Sequence, residues 1–349
     1  MIRKKIIKEI SKSKYGISLE KFIKICLYHQ DGYYKNLKSF GGKGDFITSP
    51  EISQLFGEIL GIYIYYIWQK KYQCKFNLIE LGPGNGTLLI DILRITKNFK
   101  NFHEKININL VEINKYLIKK QKKNLLSSCF EKLNLNWHNN FENFKSLPSI
   151  IIANEFFDCF PVRQFQNIDR NWFEKFVAYN KNDDIFIYKN ILVKDKDTLN
   201  ELLKYKKNEF VEISQQREKY FLDICNFVSK VKGTLITIDY GYFDLPNKST
   251  VQTLYNNKHS NLFDNLGKQD ITSLVNFKKF IDISKKFNLK IDTFSTQKKF
   301  LTKNGIIERK NIIIKKCKKK QEFSIESGIE KLISEKYMGN NFKFLILSS

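Results

Sequence analysis

From Phe76 onward the sequence alternates short apolar runs with amphipathic stretches, and this alternation limits the possible folds more than any other feature. The runs cover 76–81, 106–112, 133–138, 149–154, 233–239, 291–295 and 342–347. Each is short for a buried helix. Separated by helical stretches, they predict an open, mostly parallel, doubly wound α/β sheet of seven strands. The first seventy residues read differently, as helices carrying one long loop. Ser18 caps a helix running through Tyr28, the glycines of 41–44 open a loop reaching Ser49, and Ser49-Pro50-Glu51 reads as N-cap, N1 and N2 of a helix to about Tyr72. An insertion between Asn154 and Gly233 carries a hairpin, 172–179 with 185–188, and a charged helix. A second insertion spans about 240–282. These boundaries divide the 349 residues into a helical N-terminal region with a lid loop (1–74), a ligand-binding half of the sheet (75–160), an insertion on the substrate side (161–232) and the rest of the sheet with the second insertion (233–349).

A formal charge of +24 raises nucleic acid or an anionic membrane as partners. Arginine argues against the first: only Arg3, Arg94, Arg163, Arg170, Arg217 and Arg309 are present, and dispersed lysine lacks the planar fork that reads phosphates and base edges. No dedicated nucleic-acid site is expected. The cysteines Cys26, Cys74, Cys129, Cys159, Cys225 and Cys317 stand singly, without CxxC pairs or histidines at ligand spacing, so no metal is expected. They read as buried apolar groups in a reducing compartment. No apolar run of signal-peptide or membrane-span length follows the basic start Met1-Ile-Arg-Lys-Lys, and the expected setting is a bacterial-type cytoplasm.

Three segments carry candidate chemistry. Glu80-Leu-Gly82-Pro-Gly84-Asn-Gly86-Thr87 follows the first run and opens a helix, where glycines let the backbone turn sharply and free helix N–H groups face a ligand. A dinucleotide fingerprint needs a further glycine three residues after the second, and Thr87 stands there. An acid two residues before Gly-x-Gly-x-Gly resembles the first motif of S-adenosylmethionine methyltransferases, with Glu80 suited to a cofactor ammonium. Glu112, at the end of the second run, can accept both hydroxyls of a ribose. Asn154, Glu155 and Asp158 gather at the end of the fourth run, on the carboxyl edge where open α/β sheets bind ligands. A helical turn would bring Glu155 and Asp158 to one side, where two carboxylates suit a cationic nitrogen substrate. His29 and His138 lack a partner motif and read as packed or capped groups.

Longer blocks resemble the MidA-like family, which includes the mitochondrial complex I assembly arginine methyltransferase. They are Gly44-Asp-Phe-Ile-Thr-Ser-Pro-Glu-Ile-Ser-Gln54-Leu-Phe-Gly-Glu58, Glu80–Thr87 with Asp91-Ile-Leu-Arg94, Trp137-His138, and Asn154-Glu-Phe-Phe-Asp-Cys-Phe-Pro-Val-Arg-Gln-Phe165. The resemblance continues in Ile238-Asp-Tyr-Gly241, Asp270-Ile-Thr272 and Met338-Gly339. Asn85 stands where the family usually has arginine, and Asn139 where an acid often follows Trp-His. The resemblance implies a Rossmann-like class I methyltransferase fold with a helical N-terminal extension and insertions. It also implies S-adenosylmethionine as donor and a protein arginine, on a respiratory complex I subunit in the mitochondrial branch, as acceptor. Expected at the cofactor are Glu80, Gly82, Gly84, Gly86, Glu112, Asn139 and Asn154, with Glu155 and Asp158 on the substrate side. A small-molecule methyltransferase and a non-catalytic assembly chaperone are the rival readings, and the oligomeric state, monomer or homodimer, is open.

Overall fold

The computed structural model describes residues 1–37, 48–128, 130, 133–142 and 144–349. Most of the expected lid loop, together with Cys129, lies outside the described residues. The chain forms two compact units. One contains Met1–Leu37, Asp158–Tyr220 and Tyr242–Lys278; the other contains Lys38–Phe157, Phe221–Gly241 and Lys279–Ser349.

The second unit is built on a sheet containing all seven expected runs: β1 (Phe76–Leu81), β2 (Ile106–Val111), β3 (Asn134–His138), β4 (Ser149–Asn154), β5 (Thr234–Tyr242), β6 (Lys290–Thr296) and β7 (Phe342–Ser348). Their order is β6-β7-β5-β4-β1-β2-β3, and only β7 runs antiparallel to its neighbours. The strand order reverses between β1 and β4, leaving a crevice at their carboxyl ends.

Alternation along the strands sorts the faces. Phe76, Leu78, Ile108, Leu110, Ile150, Ile152, Ile236, Phe344 and Ile346 enter one core with helices α1 (Gln54–Lys71) and α2 (Thr87–Thr96). The helices cross closely because α1 presents glycine there: a β-carbon on Gly57 would sit 2.5 Å from Asp91 Cβ, and one on Gly61 2.5 Å from Ile95 Cγ2. Near this crossing, buried Glu58 accepts from Arg94 at 3.2 Å and Arg309 at 2.7 Å. On the opposite face β1–β3 carry a polar ladder, in which Asn107 donates to Asn77 at 2.7 Å and Asn134 to Asn107 at 2.6 Å.

The single helix expected from Ser49 to Tyr72 is broken. Thr48 precedes a short turn, Ser49–Ile52; Ser53 is extended, and its hydroxyl accepts from Leu55 N at 3.3 Å to restart the chain as α1. Serine competes with the helix for backbone hydrogen bonds, and the pattern of apolar residues does not register that competition.

The first unit holds a five-stranded antiparallel sheet. Asn171–Asn180 pairs with Ile17–Ser18, Arg163–Ile168 and Ile185–Leu192, and Arg163–Ile168 pairs with Phe210–Ile213. The expected hairpin is thus present and longer than read. A small sheet of Gln252–Tyr255, Lys258–His259 and Asp270–Thr272 comes from the second insertion.

Candidate functional site

Register brings three of the candidate side chains to one side of the crevice. Glu80 lies opposite Leu110 of β2 and Ile152 of β4. Side chains alternate along a strand, so Glu112 and Asn154, each two residues further on, project to the same face as Glu80. Beyond β1 the chain needs a tight reversal before α2. Gly82, Gly84 and Gly86 make it with φ of +62°, +55° and +79°, angles that side-chain-bearing residues resist. A β-carbon on Gly82 would also meet the Phe156 ring at 3.1 Å.

A cavity of about 50 Å³ opens above this loop, lined by Glu80, Gly82, Gly84, Asn154 and Glu155. Thr48, Pro50, Glu51, Asn85, Thr87 and Leu88 complete the lining with Pro83. Glu51 is a site residue the sequence reading took only as a helix-start acid. Its Oε1 accepts from Asn85 Nδ2 at 2.9 Å and Thr87 Oγ1 at 2.6 Å, so the asparagine that replaces the family's usual arginine ties the loop to the segment before α1. Gln121, on α3 (Lys115–Ser127), was also missed. It donates to Gly84 O at 2.8 Å and Glu112 Oε2 at 3.3 Å, and it accepts from Trp137 Nε1 at 2.9 Å. Trp137 is therefore pinned by its ring nitrogen.

Glu80 is 4% exposed, and its Oε2 is buried with no hydrogen-bond partner among the described residues. Burial, then the neighbouring Glu112 charge, pushes its carboxyl up to about 8. Asn154 Oδ1 is similarly buried and unpartnered among the described residues. Orphaned acceptors of this kind are costly unless a donor meets them, so their presence beside a glycine cradle fits a ligand carrying a cationic donor. Glu112 is buried and holds its own loop through Asn114 N at 2.9 Å. Asn139 follows β3, exposed and outside the cavity's described lining.

The helical turn expected across Glu155 and Asp158 does not form. Glu155 N instead donates to Ile238 O at 2.8 Å, extending the ladder between β4 and β5, and Glu155 takes a left-handed φ of +49°. Phe157 N then donates to the fully buried Asp239 carboxylate at 2.9 Å, and Tyr240 N to its other oxygen at 2.9 Å. The Glu155 carboxylate is held by Ser49 N at 3.0 Å and Asn154 Nδ2 at 3.3 Å. Asp158 belongs to the other compact unit. It is buried there, and its carbonyl accepts from Ser273 N at 2.9 Å. His29 and His138 are locally engaged, with Asp31 N donating to His29 Nδ1 at 3.2 Å and His138 Nε2 lying 3.0 Å from Asn109 Oδ1.

A doubly wound sheet of this order, with an acid-led glycine cradle at its switch point, defines a class I S-adenosylmethionine-dependent methyltransferase. Residues 59–295 match the model of the family described as "Putative S-adenosyl-L-methionine-dependent methyltransferase". The chain belongs to this family of MidA-like proteins, and its cofactor is S-adenosylmethionine. Among curated relatives, the Drosophila melanogaster protein arginine methyltransferase NDUFAF7 homolog, mitochondrial, is 30% identical, covering 91% of this chain and 78% of the relative. The human protein arginine methyltransferase NDUFAF7, mitochondrial, is 27% identical over 96% of this chain and 81% of its own. A Burkholderia thailandensis protein solved with S-adenosyl-homocysteine shares the fold, with a TM-score of 0.87, 20% identity, and coverage of 100% of this chain and 92% of that one. The expected cytoplasmic setting is overturned by these relatives, which are mitochondrial proteins by name; scattered reduced cysteines are equally at home in a mitochondrial matrix and could not separate the two. Among the described residues, no helix is long and apolar enough to cross a membrane.

Proposed function

We propose that the protein methylates an arginine side chain of a protein substrate, with Glu80, the three loop glycines, Glu112 and Asn154 on the cofactor side and Glu155 on the acceptor side. The observation that carries the reading is the convergence of three carboxylates, Glu51, Glu80 and Glu155, on one cavity in a chain whose formal charge is +24. Acids concentrated against so basic a background favour cationic groups, and a guanidinium is both cationic and a planar multiple donor. The arginine-methyltransferase names of the relatives support the same acceptor.

When bound, S-adenosylmethionine supplies a methyl group on a sulfonium, a leaving group that needs no protonation. The protein's part is to position and to stabilise charge. Glu155, fixed by Ser49 N and Asn154 Nδ2, accepts from the guanidinium and orients the attacking nitrogen. Asp239 acts through the backbone, keeping the turn after β4 in the shape that aims Glu155. Asp158 remains a supporting acid in this proposal. The resemblance in the sequence further points to a respiratory complex I subunit as the substrate.

Quantitative methyl-arginine proteomics on cells with and without the gene tests this reading. Loss of methylation at one arginine identifies the substrate. An unchanged methyl-arginine complement refutes the arginine reading.

A further inference from the structure

The unit built from the N-terminal segment and the insertions has a cleft of its own, of about 200 Å³, whose lining includes Gln164, Lys175, Tyr188, Ser249, Thr253 and Asn261. Lys175 projects from the central strand Asn171–Asn180 and is half-buried. Its Nζ lies 5.1 Å from the centroid of the Tyr188 ring, and it makes no hydrogen bond or ion pair among the described residues. An ammonium removed from water on an aromatic face, without an anion, is an unfinished arrangement.

Among the described residues, the acid that acts on it, Glu212, is already committed. Buried Glu212 accepts from Gln164 Nε2 at 2.6 Å, from Thr250 N at 2.9 Å and from the Thr250 hydroxyl. Burial accordingly lowers the Lys175 ammonium below its ordinary range, with Glu212 offsetting only part of that effect. Two further polar groups at the cleft keep a donor unused among the described residues. Ser249 Oγ accepts from Gln164 Nε2 at 2.6 Å and Val251 N at 3.3 Å and donates to nothing among the described residues, which leaves its hydroxyl proton for a ligand. Asn261 uses its Oδ1 to accept from Phe263 N at 2.9 Å, and its Nδ2 has no acceptor among the described residues. Thr253 is spent on the Ser260 carbonyl.

We propose that this cleft is a carboxylate-binding subsite, in which Lys175 supplies the charge and Ser249 and Asn261 supply the remaining donors. The volume suits one acidic side chain or a small free dicarboxylate. An acidic residue carried on a protein substrate would give this unit a recognition role of its own, independent of the methyl-transfer chemistry.

The test titrates full-length protein with glutarate and, separately, with a capped tetrapeptide containing one glutamate, following 15N-labelled lysine ammonium signals by NMR. A saturable shift of the Lys175 signal with either probe in the wild type, with calorimetric affinity for that probe at least tenfold weaker in Lys175→Met, is the expected result. A response to glutarate at comparable or greater strength identifies a free carboxylate as the natural occupant, and at least tenfold tighter binding of the peptide identifies a protein-borne one. Lys175→Gln serves as a second variant, and unchanged S-adenosyl-homocysteine binding in both variants establishes that they are folded. If neither probe moves the Lys175 signal, if calorimetric affinity for the probes is unchanged in both variants, or if inorganic phosphate binds there more tightly than both carboxylates, the proposal is overturned.

Discussion

Replacing Glu80 with glutamine separates two effects that the wild-type carboxylate combines. Burial and Glu112 raise the group from an ordinary 4.5 to about 8, so the folded protein without cofactor favours the protonated form. A raised carboxyl contributes fully to stability below pH 4.5, and that contribution is lost as pH climbs toward 8. At pH 7 the loss is on the order of 3 kcal/mol, at about 1.4 kcal/mol per pH unit above the unfolded value. Glu80→Gln removes the titration, so without cofactor the variant melts at a higher temperature than wild type near pH 8 and loses that advantage near pH 4.5. A cofactor ammonium beside the carboxylate favours the charged form, so binding to wild type releases a proton below pH 8. Affinity for S-adenosyl-homocysteine should then rise by up to about tenfold per pH unit from 6.5 to 8. In Glu80→Gln the affinity should fall by roughly ten- to a hundredfold, the scale of a lost charge-assisted hydrogen bond, and lose this part of its pH dependence. Calorimetry in two buffers of different ionisation enthalpy reads both the affinity and the proton count. Equal affinity and equal proton release in the variant and wild type would refute the reasoning.

Gly84 has a φ of +55°, so Gly84→Val should abolish S-adenosyl-homocysteine binding in calorimetry while far-UV circular dichroism stays near wild type; unchanged affinity would remove the loop from the site. Glu155→Gln should keep cofactor affinity and lower methyl transfer by about a hundredfold or more, measured as single-turnover rate on the identified substrate; full activity would exclude Glu155 from the mechanism. Gly61→Val should lower stability by about 1–3 kcal/mol in urea unfolding, because its side chain meets Ile95 and the Ile92 backbone at the α1–α2 crossing. Duplex DNA should bind weakly and be lost by physiological salt, since Arg3, Arg94, Arg163, Arg217 and Arg309 are all engaged within the protein; salt-resistant binding in a filter assay would contradict that.

The sheet was legible because a buried parallel strand is written as a local apolar run, and each run carried its own signal. The cradle was legible for a related reason: three glycines at alternating positions are needed only where the backbone must turn left-handed. What escaped was non-local. Glu51 reads as a helix-start acid until Asn85 and Thr87 are brought against it, across more than thirty residues. Gln121 is one polar residue in a lysine-rich helix until it meets Gly84, Glu112 and Trp137. The helical turn expected across Glu155 and Asp158 does not form because the ladder to Ile238 and the Asp239 carboxylate decide the backbone there. The cleft at Lys175 carries no local signal, since its lining comes from six separated stretches of the chain.

The central claim, methyl transfer from S-adenosylmethionine to a protein arginine, is tested most directly by incubating the purified protein with tritiated S-adenosylmethionine and extract from cells lacking the gene, then hydrolysing the labelled product to amino acids. Label is expected in a single protein band, recovered as methylated arginine and absent with Glu155→Gln. Label recovered only in small molecules or in another amino acid, or no label with a protein that binds the cofactor, would contradict it.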